Sequence, residues 1–349
     1  MMNVFRMNSV RLFFVSCLLA FTLASCTEDS DYTLGVWKRR SDFDGVARSD
    51  ASGFMINGNG FVCCGYTGKD RLNDLWEYNV AGDYWTQRAS MPDAAGNRNS
   101  AAGFSANNKG YITTGYNGND YLKDTWEYDP TTNTWAQKDD YTGGVRYCAL
   151  SFSIGNYGYV GTGYNDNYLK DFYKFDPTAA PGSQWTIMNG FGGQKRMSGS
   201  TFVIDNIAYV VGGLNNGSYV TDFWKYDPST DKWTQLRDIA DTNDDEDYDD
   251  DYAGIKRANA VTFVIDGKAY LVTGESGSLL SDYWVYDPTT DLWSGDSDDD
   301  YTPFTTDASA RINAVGFSTG TRGFVVTGRS SSYRFDDMWE LSPYENEEN

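Results

Sequence analysis

Residues 98–138 read RNSAAGFSANNKGYITTGYNGNDYLKDTWEYDPTTNTWAQK. Four short strand signals lie in this stretch: 98–104, 109–115, 124–129 and 135–138. Asn107-Asn108 closes the first hairpin, a Gly-containing loop from Tyr116 to Asn119 follows the second strand, and Pro130 stops the third. The pattern repeats along the chain with a period of about fifty residues. Arginines stand at 48, 98, 146, 196, 257 and 311, each followed six positions later by Phe54, Phe104, Phe152, Phe202, Phe263 or Phe317. Some 25 or 26 positions on come Asp74, Asp124, Asp171, Asp222, Asp282 and Asp337. All eleven tryptophans fall on the repeat. One set opens the fourth strand, at 37, 85, 135, 185, 233 and 293. The other sits in a frame such as Asp124-x-Trp126-x-Tyr128-Asp129, with Tyr173 in place of its missing member.

Four-stranded units at this period predict an all-β, six-bladed propeller. The last unit, from Arg311, has three strands, while the chain supplies an orphan fourth strand at Val36–Arg39. That strand is expected to complete the sixth blade and remove exposed sheet edges. Small residues recur three and five positions after each arginine, as at Ala101 and Gly103. They suit the crowded faces near the axis, and the bulky Trp and Tyr residues fill the widening wedges between blades.

The units resemble the kelch family: Arg at the entry of the inner strand, Gly at the end of the second (Gly65, Gly115, Gly163, Gly213, Gly274, Gly328), Tyr-Asp-Pro after the third and Trp opening the fourth. The resemblance covers residues 36–342. It departs from the family's double glycine, which is intact only at Gly212-Gly213; elsewhere Cys64, Thr114, Thr162, Thr273 and Thr327 stand first.

The termini carry a different signal. Residues 1–25 combine Arg6 and Arg11 with an apolar run from Leu12 to Leu23 and the sequence Leu23-Ala24-Ser25-Cys26. This resembles a bacterial lipoprotein signal peptide, with Cys26 as the lipidated residue. The acidic residues that follow, within 26–35, resemble the surface-export signal of Bacteroidetes lipoproteins and equally suit a solvated tether. The expected organisation is a signal peptide at 1–25, a tether at 26–35, the propeller at 36–342 and a tail at 343–349. The expected location is the outer membrane, facing outward, with membrane contact only through the lipid.

Cleavage before Cys26 leaves 26 basic residues against 49 acidic ones, so the mature net charge of −23 disfavours nucleic acid and anionic lipid as partners. A monomer is expected. Cys63, Cys64 and Cys148 read as small buried thiols and not as a disulfide framework. The chain has no histidine, which excludes Ser-His-Asp and Cys-His catalysis, His-ligated zinc, and the histidine-ligated copper of galactose-oxidase-type propellers.

The candidate site is one mouth of the channel. Arg48, Arg98, Arg146, Arg196, Arg257 and Arg311 should ring it, free to hold an anion by bidentate bonds or closed on the six aspartates. Tyr66, Tyr116 and Tyr164 open the loops after the second strand on three consecutive blades. Aromatic faces beside Asn, Gly and Thr suit a sugar ring, and the same turn residues need no ligand. Acidic insertions at 241–252 and 296–300 offer oxygen ligands for Ca²⁺, or simply solvated loops, so no metal ligand is assigned. The leading expectation is a non-catalytic module recognising a glycan or protein partner at this mouth. The alternative follows from the resemblance, since six-bladed kelch proteins include a cofactor-free sialic acid mutarotase. It would make Arg329, Glu275 and the arginine ring candidates for carboxylate binding and acid/base work.

Overall fold

The computed structural model describes residues 34–188, 190–242, 247–295, 303–304 and 310–346. The signal peptide, Cys26, most of the tether and the 296–300 insertion lie outside the described residues. Six antiparallel four-stranded sheets are present, each ordered by sequence except the one that joins the chain ends. In the second blade the strands are Ala102–Ala106, Lys109–Thr113, Thr125–Asp129 and Thr134–Lys138. The remaining blades have first strands at Ser52–Ile56, Leu150–Ile154, Ser200–Ile204, Val261–Ile265 and Val315–Ser318. Leu34–Arg39 pairs with Met338–Asn346 to close the sixth blade, in register at Trp37 with Leu341 and Arg39 with Trp339. The closing strand starts two residues before 36 and its partner runs four beyond 342, so hydrogen bonding claims part of the expected tether and tail.

The inner strands begin four residues after each arginine and not at it. The reason is a sharp turn two residues after every arginine, at Asp50, Ser100, Cys148, Ser198, Asn259 and Asn313, all with φ between 51° and 57°. At each turn the N–H donates to the equivalent carbonyl of the preceding blade: Ser100 to Asp50 (2.8 Å), Cys148 to Ser100, Ser198 to Cys148, Asn259 to Ser198 and Asn313 to Asn259. Asp50 N–H to Asn313 (3.0 Å) closes the belt around the axis.

A second belt lies outside it. Gly65 N–H donates to the Arg98 carbonyl, and Gly115, Gly163, Gly213 and Gly274 reach Arg146, Arg196, Arg257 and Arg311 in turn. Gly328 to Arg48 (2.8 Å) completes the circle. Between blades, Phe104, Tyr111, Phe175 and Trp185 form one of several buried aromatic clusters. Fourth-strand tryptophans also stitch neighbouring blades, as Trp135 Nε1 donates to the Ala89 carbonyl (2.7 Å) and Trp185 Nε1 to that of Asp139 (3.1 Å).

The residue before each belt glycine also adopts positive φ: Cys64 65°, Thr114 63°, Thr162 59°, Gly212 65°, Thr273 59° and Thr327 62°. This is where the family's first glycine belongs, and β-branched threonine is strained there. The conformation persists because it turns each carbonyl toward a buried guanidinium, as when Thr162 accepts from Arg146 Nη1 at 2.8 Å. The buried Thr162 hydroxyl has no hydrogen-bond partner. Thr162→Gly is therefore expected to stabilise the protein by about 1 kcal/mol, read as a higher urea midpoint with an unchanged slope.

Candidate functional site at the channel mouth

The six arginines, expected either to hold an anion or to close on the six aspartates, are all buried, at 0–1 % exposure. Each closes on its own blade's aspartate. Arg48 holds Asp74 through two bonds of 2.5 and 2.7 Å, and Arg98 holds Asp124 at 2.8 and 2.7 Å. Arg146, Arg257 and Arg311 grip Asp171, Asp282 and Asp337 in the same bidentate way, and Arg196 bonds Asp222 through Nη2. Nη1 of each also donates to the carbonyl of the positive-φ residue. The aspartates are tied further by the Asp-x-Trp frame: Trp76, Trp126, Trp284 and Trp339 donate their indole N–H to Asp74, Asp124, Asp282 and Asp337. Burial opposes ionisation of Asp337, yet its bonds from Arg311 outweigh this and hold its carboxyl below the usual range. Of the two arrangements left open by the sequence, free for an anion or closed on the aspartates, the structure has the second. Most of the arginines' donors are spent inside the blades, because a guanidinium taken out of water must be matched by a carboxylate and carbonyls.

The other anticipated residues do gather at one place. Tyr66, Tyr116, Tyr164, Glu275 and Arg329 occupy equivalent positions in their blades, bridged to Ser49, Asn99, Tyr147, Ala258 and Ile312, the residues just after the arginines. Each is also bridged to a rim residue four or five positions on: Arg71, Tyr121, Tyr168, Leu279 and Arg334. These concentric rings surround a cavity of about 170 Å³ lined by Asp50, Ser100, Cys148, Ser198, Asn259, Asn313 and the small residues beside them.

The mouth is polarised. Arg71, Arg329 and Arg334 stand on blades one and six, and among the described residues none of the three has an ion-pair partner. The Arg71 guanidinium lies between the rings of Tyr66 and Tyr116, 5.1 and 4.6 Å from their centroids, and donates to Asn99 Oδ1 at 2.7 Å. The Arg334 guanidinium lies over the Tyr66 ring, 5.0 Å from its centroid, and its Nε donates to the Tyr66 carbonyl. Blades two and three carry an aromatic patch in which Tyr121 and Tyr147 stack at 5.2 Å with an interplanar angle of 2°, Tyr116 and Tyr164 abut them, and Tyr168 packs on Tyr164. Glu275 sits on blade five and accepts from Asn259 Nδ2 at 2.7 Å.

Asp50 is the acid at the centre. Desolvation in the channel raises its carboxyl above the usual range, although bonds from Ser49 (2.7 Å) and Ser100 and the nearby charges of Arg329 and Arg334 oppose the shift. Cys148, on the same belt, has its thiol pushed up to about 11 by burial, so it is a poor nucleophile at neutral pH. Cys63 and Cys64 are buried free thiols, in keeping with the sequence reading. Sequence reasoning missed Asp50, Arg71, Arg334 and the tyrosines at 121, 147 and 168. The signal was present in their fixed offsets from the belt residues, but the symmetric arginines masked it.

The Kelch motif matches residues 98–138 and 195–238. This chain is a six-bladed β-propeller that carries kelch motifs. The kelch propeller is 30% identical over 118 residues to the N-acetylneuraminate epimerases of Shigella flexneri serotype 5b and Escherichia coli K12, a match covering 32% of this chain and 28% of each relative. It therefore aligns with under a third of their length. The solved structure of YjhT superposes with a TM-score of 0.69 at 13% identity, covering 86% of this chain and 95% of that one. This likeness establishes the six-bladed architecture.

Two outcomes separate the buried arginines from the rim. Arg98→Ala should cost about 3–5 kcal/mol, since it removes a wholly buried guanidinium and leaves the half-buried Asp124 carboxylate without its partner, whereas Arg71→Ala should cost about 1 kcal/mol; urea unfolding measures both. Asp50→Asn tests the central acid. A raised native pKa means the native state holds this proton more tightly than the unfolded chain, so the wild type loses stability as pH rises from the ordinary aspartate value through the raised one. Relative to wild type, Asp50→Asn should gain melting temperature at pH 7 and lose that advantage below pH 4.

Proposed function

We propose that the channel mouth binds an acidic sugar. The observation that carries this reading is the presence of three guanidinium groups, Arg71, Arg329 and Arg334, without ion-pair partners among the described residues, beside a tyrosine patch in a chain of net charge −21. An unpaired guanidinium in so acidic a protein offers a planar, bidentate seat for a carboxylate. The tyrosine faces suit the apolar face of a pyranose, and Asn99, Ser100, Ser198, Asn259 and Asn313 supply amide and hydroxyl groups for its edge. The partial likeness to N-acetylneuraminate epimerases supports the same class of ligand.

A second reading, anomer interconversion, rests on Asp50. In its ionised form the Asp50 carboxylate beside the bound sugar can accept the proton of the anomeric hydroxyl as the ring C–O bond breaks and the ring oxygen takes a proton from water. The freed carbonyl rotates; on re-closure the hydroxide so formed takes back the proton of the attacking hydroxyl and Asp50 returns its own to the new anomeric oxygen, giving the other anomer with no cofactor. The proposal also keeps the protein a surface lipoprotein anchored through Cys26, where a sugar-binding mouth would face the medium. No helix among the described residues is long and apolar enough to cross a membrane.

Isothermal titration with N-acetylneuraminic acid, with N-acetylglucosamine as the neutral control, tests the binding. Affinity for the acid should fall at least tenfold in Arg334→Ala and in Arg329→Ala, with no heat from the neutral sugar. Equal affinity in both variants, or no binding of any acidic sugar, would sink the reading. One-dimensional exchange NMR then decides between roles: faster anomer exchange that disappears in Asp50→Asn while binding survives makes the protein a mutarotase, and an unaltered exchange rate makes it a binding module.

A further inference from the structure

The insertion between the fourth blade's last strand (Lys232–Gln235) and Val261–Ile265 is fastened to the seam between blades four and five. Tyr252 and Ile255 are buried in the core cluster there, and the Tyr252 hydroxyl accepts the Trp293 N–H at 2.7 Å. The insertion's end also caps an arginine node, because the Ile255 and Gly254 carbonyls accept from Arg257.

Asp249, on the 3₁₀ turn Asp247–Asp249, is wholly buried. Its Oδ2 accepts from the Thr242 N–H (3.0 Å) and hydroxyl (3.3 Å), while its buried Oδ1 has no hydrogen-bond partner. Asp241 and Asp250 are exposed, and one carboxylate oxygen from each of the three aspartates lies within 4.8 Å of the others. No lysine or arginine among the described residues forms an ion pair with any of them. A buried carboxylate with one oxygen unsatisfied and two like charges beside it is unfavourable, and a cation at their focus removes both costs. Oxygens this far apart fit one ion whose bonds are about 2.3–2.6 Å, since two such bonds span up to about 5 Å; octahedral Mg²⁺, at about 2.0–2.1 Å, demands a tighter set. The donors are all hard oxygens, which disfavours zinc.

We propose that Asp241, Asp249 and Asp250 form a Ca²⁺ site that pins this insertion against the blade four and five seam. Asp249 is the buried anchor, and the two exposed carboxylates complete the protein's share while water fills the remaining positions. The site is separate from Asp50 and the rim arginines, so it stands whether or not the mouth binds a sugar.

Terbium luminescence on the EDTA-stripped full chain tests it, because Tyr248 directly precedes Asp249 and packs on Tyr252, which packs on Trp284, so an antenna stands beside the site. Sensitised emission should saturate, be displaced by Ca²⁺ and resist equal Mg²⁺, and Ca²⁺ should raise the melting temperature. Asp249→Asn should weaken binding at least tenfold. Where that buried change prevents folding, Asp241→Asn and Asp250→Asn, both at exposed positions, carry the same expectation with native circular dichroism. A wild type without emission or without a Ca²⁺-dependent melting shift overturns the proposal. So does a folded set of variants with undiminished affinity, which would place the ion on another acidic segment.

Discussion

Six buried guanidinium groups hold this molecule together, each working in two directions. Through its side chain an arginine such as Arg98 binds Asp124 and the Thr114 carbonyl, tying the first, second and third strands of its own blade. Through its backbone carbonyl it accepts the N–H of Gly65 from the preceding blade. Burying that charge is tolerable only because almost every donor is matched. The requirement explains the Asp-x-Trp frame, the positive φ before the belt glycine and the persistence of strained threonines there. Closure follows from the same geometry, since the Gly328 to Arg48 bond is simply the sixth instance of a repeated contact.

A ring built in this way has consequences for where chemistry can reside. The residues repeated in every blade are consumed by the architecture. Arg48 and its five counterparts look like an anion site when listed along the chain, and in three dimensions they are core. What remains for recognition is whatever breaks the symmetry on the rings around the channel. There the repeat positions carry Arg and Arg on blade six, Tyr and Arg on blade one, two tyrosines each on blades two and three, and Glu275 on blade five. The mouth thereby acquires a cationic side, an aromatic side and a central acid whose pKa desolvation raises. Such a distribution suits a ligand that is itself polarised, with a carboxylate at one end and an apolar ring face at the other.

The insertion carrying Asp249 illustrates a related point. Loops between blades are free to vary because the belts already close the ring, yet this one sends Tyr252 and Ile255 into the core and supports Arg257 with two carbonyls. It is coupled to the propeller's stability, and a cation holding it would act on a seam and not on a detached tail.

The amino-acid sequence by itself determined the blade count, the four strands of each blade and the closing strand at Trp37, because period, turn residues and aromatic offsets are local or strictly repeated signals. It also excluded histidine chemistry outright. It left open whether the arginines were free or paired, since the spacing of Arg98 and Asp124 is compatible with both; only the fold, by burying the guanidinium within 2.8 Å of the carboxylate, decided it. The tertiary structure alone made neighbours of Asp50, Arg329 and Arg334, which lie at opposite ends of the chain. Ring closure sets the first blade beside the sixth, and an electrostatic environment depends on distances in space that no linear pattern encodes.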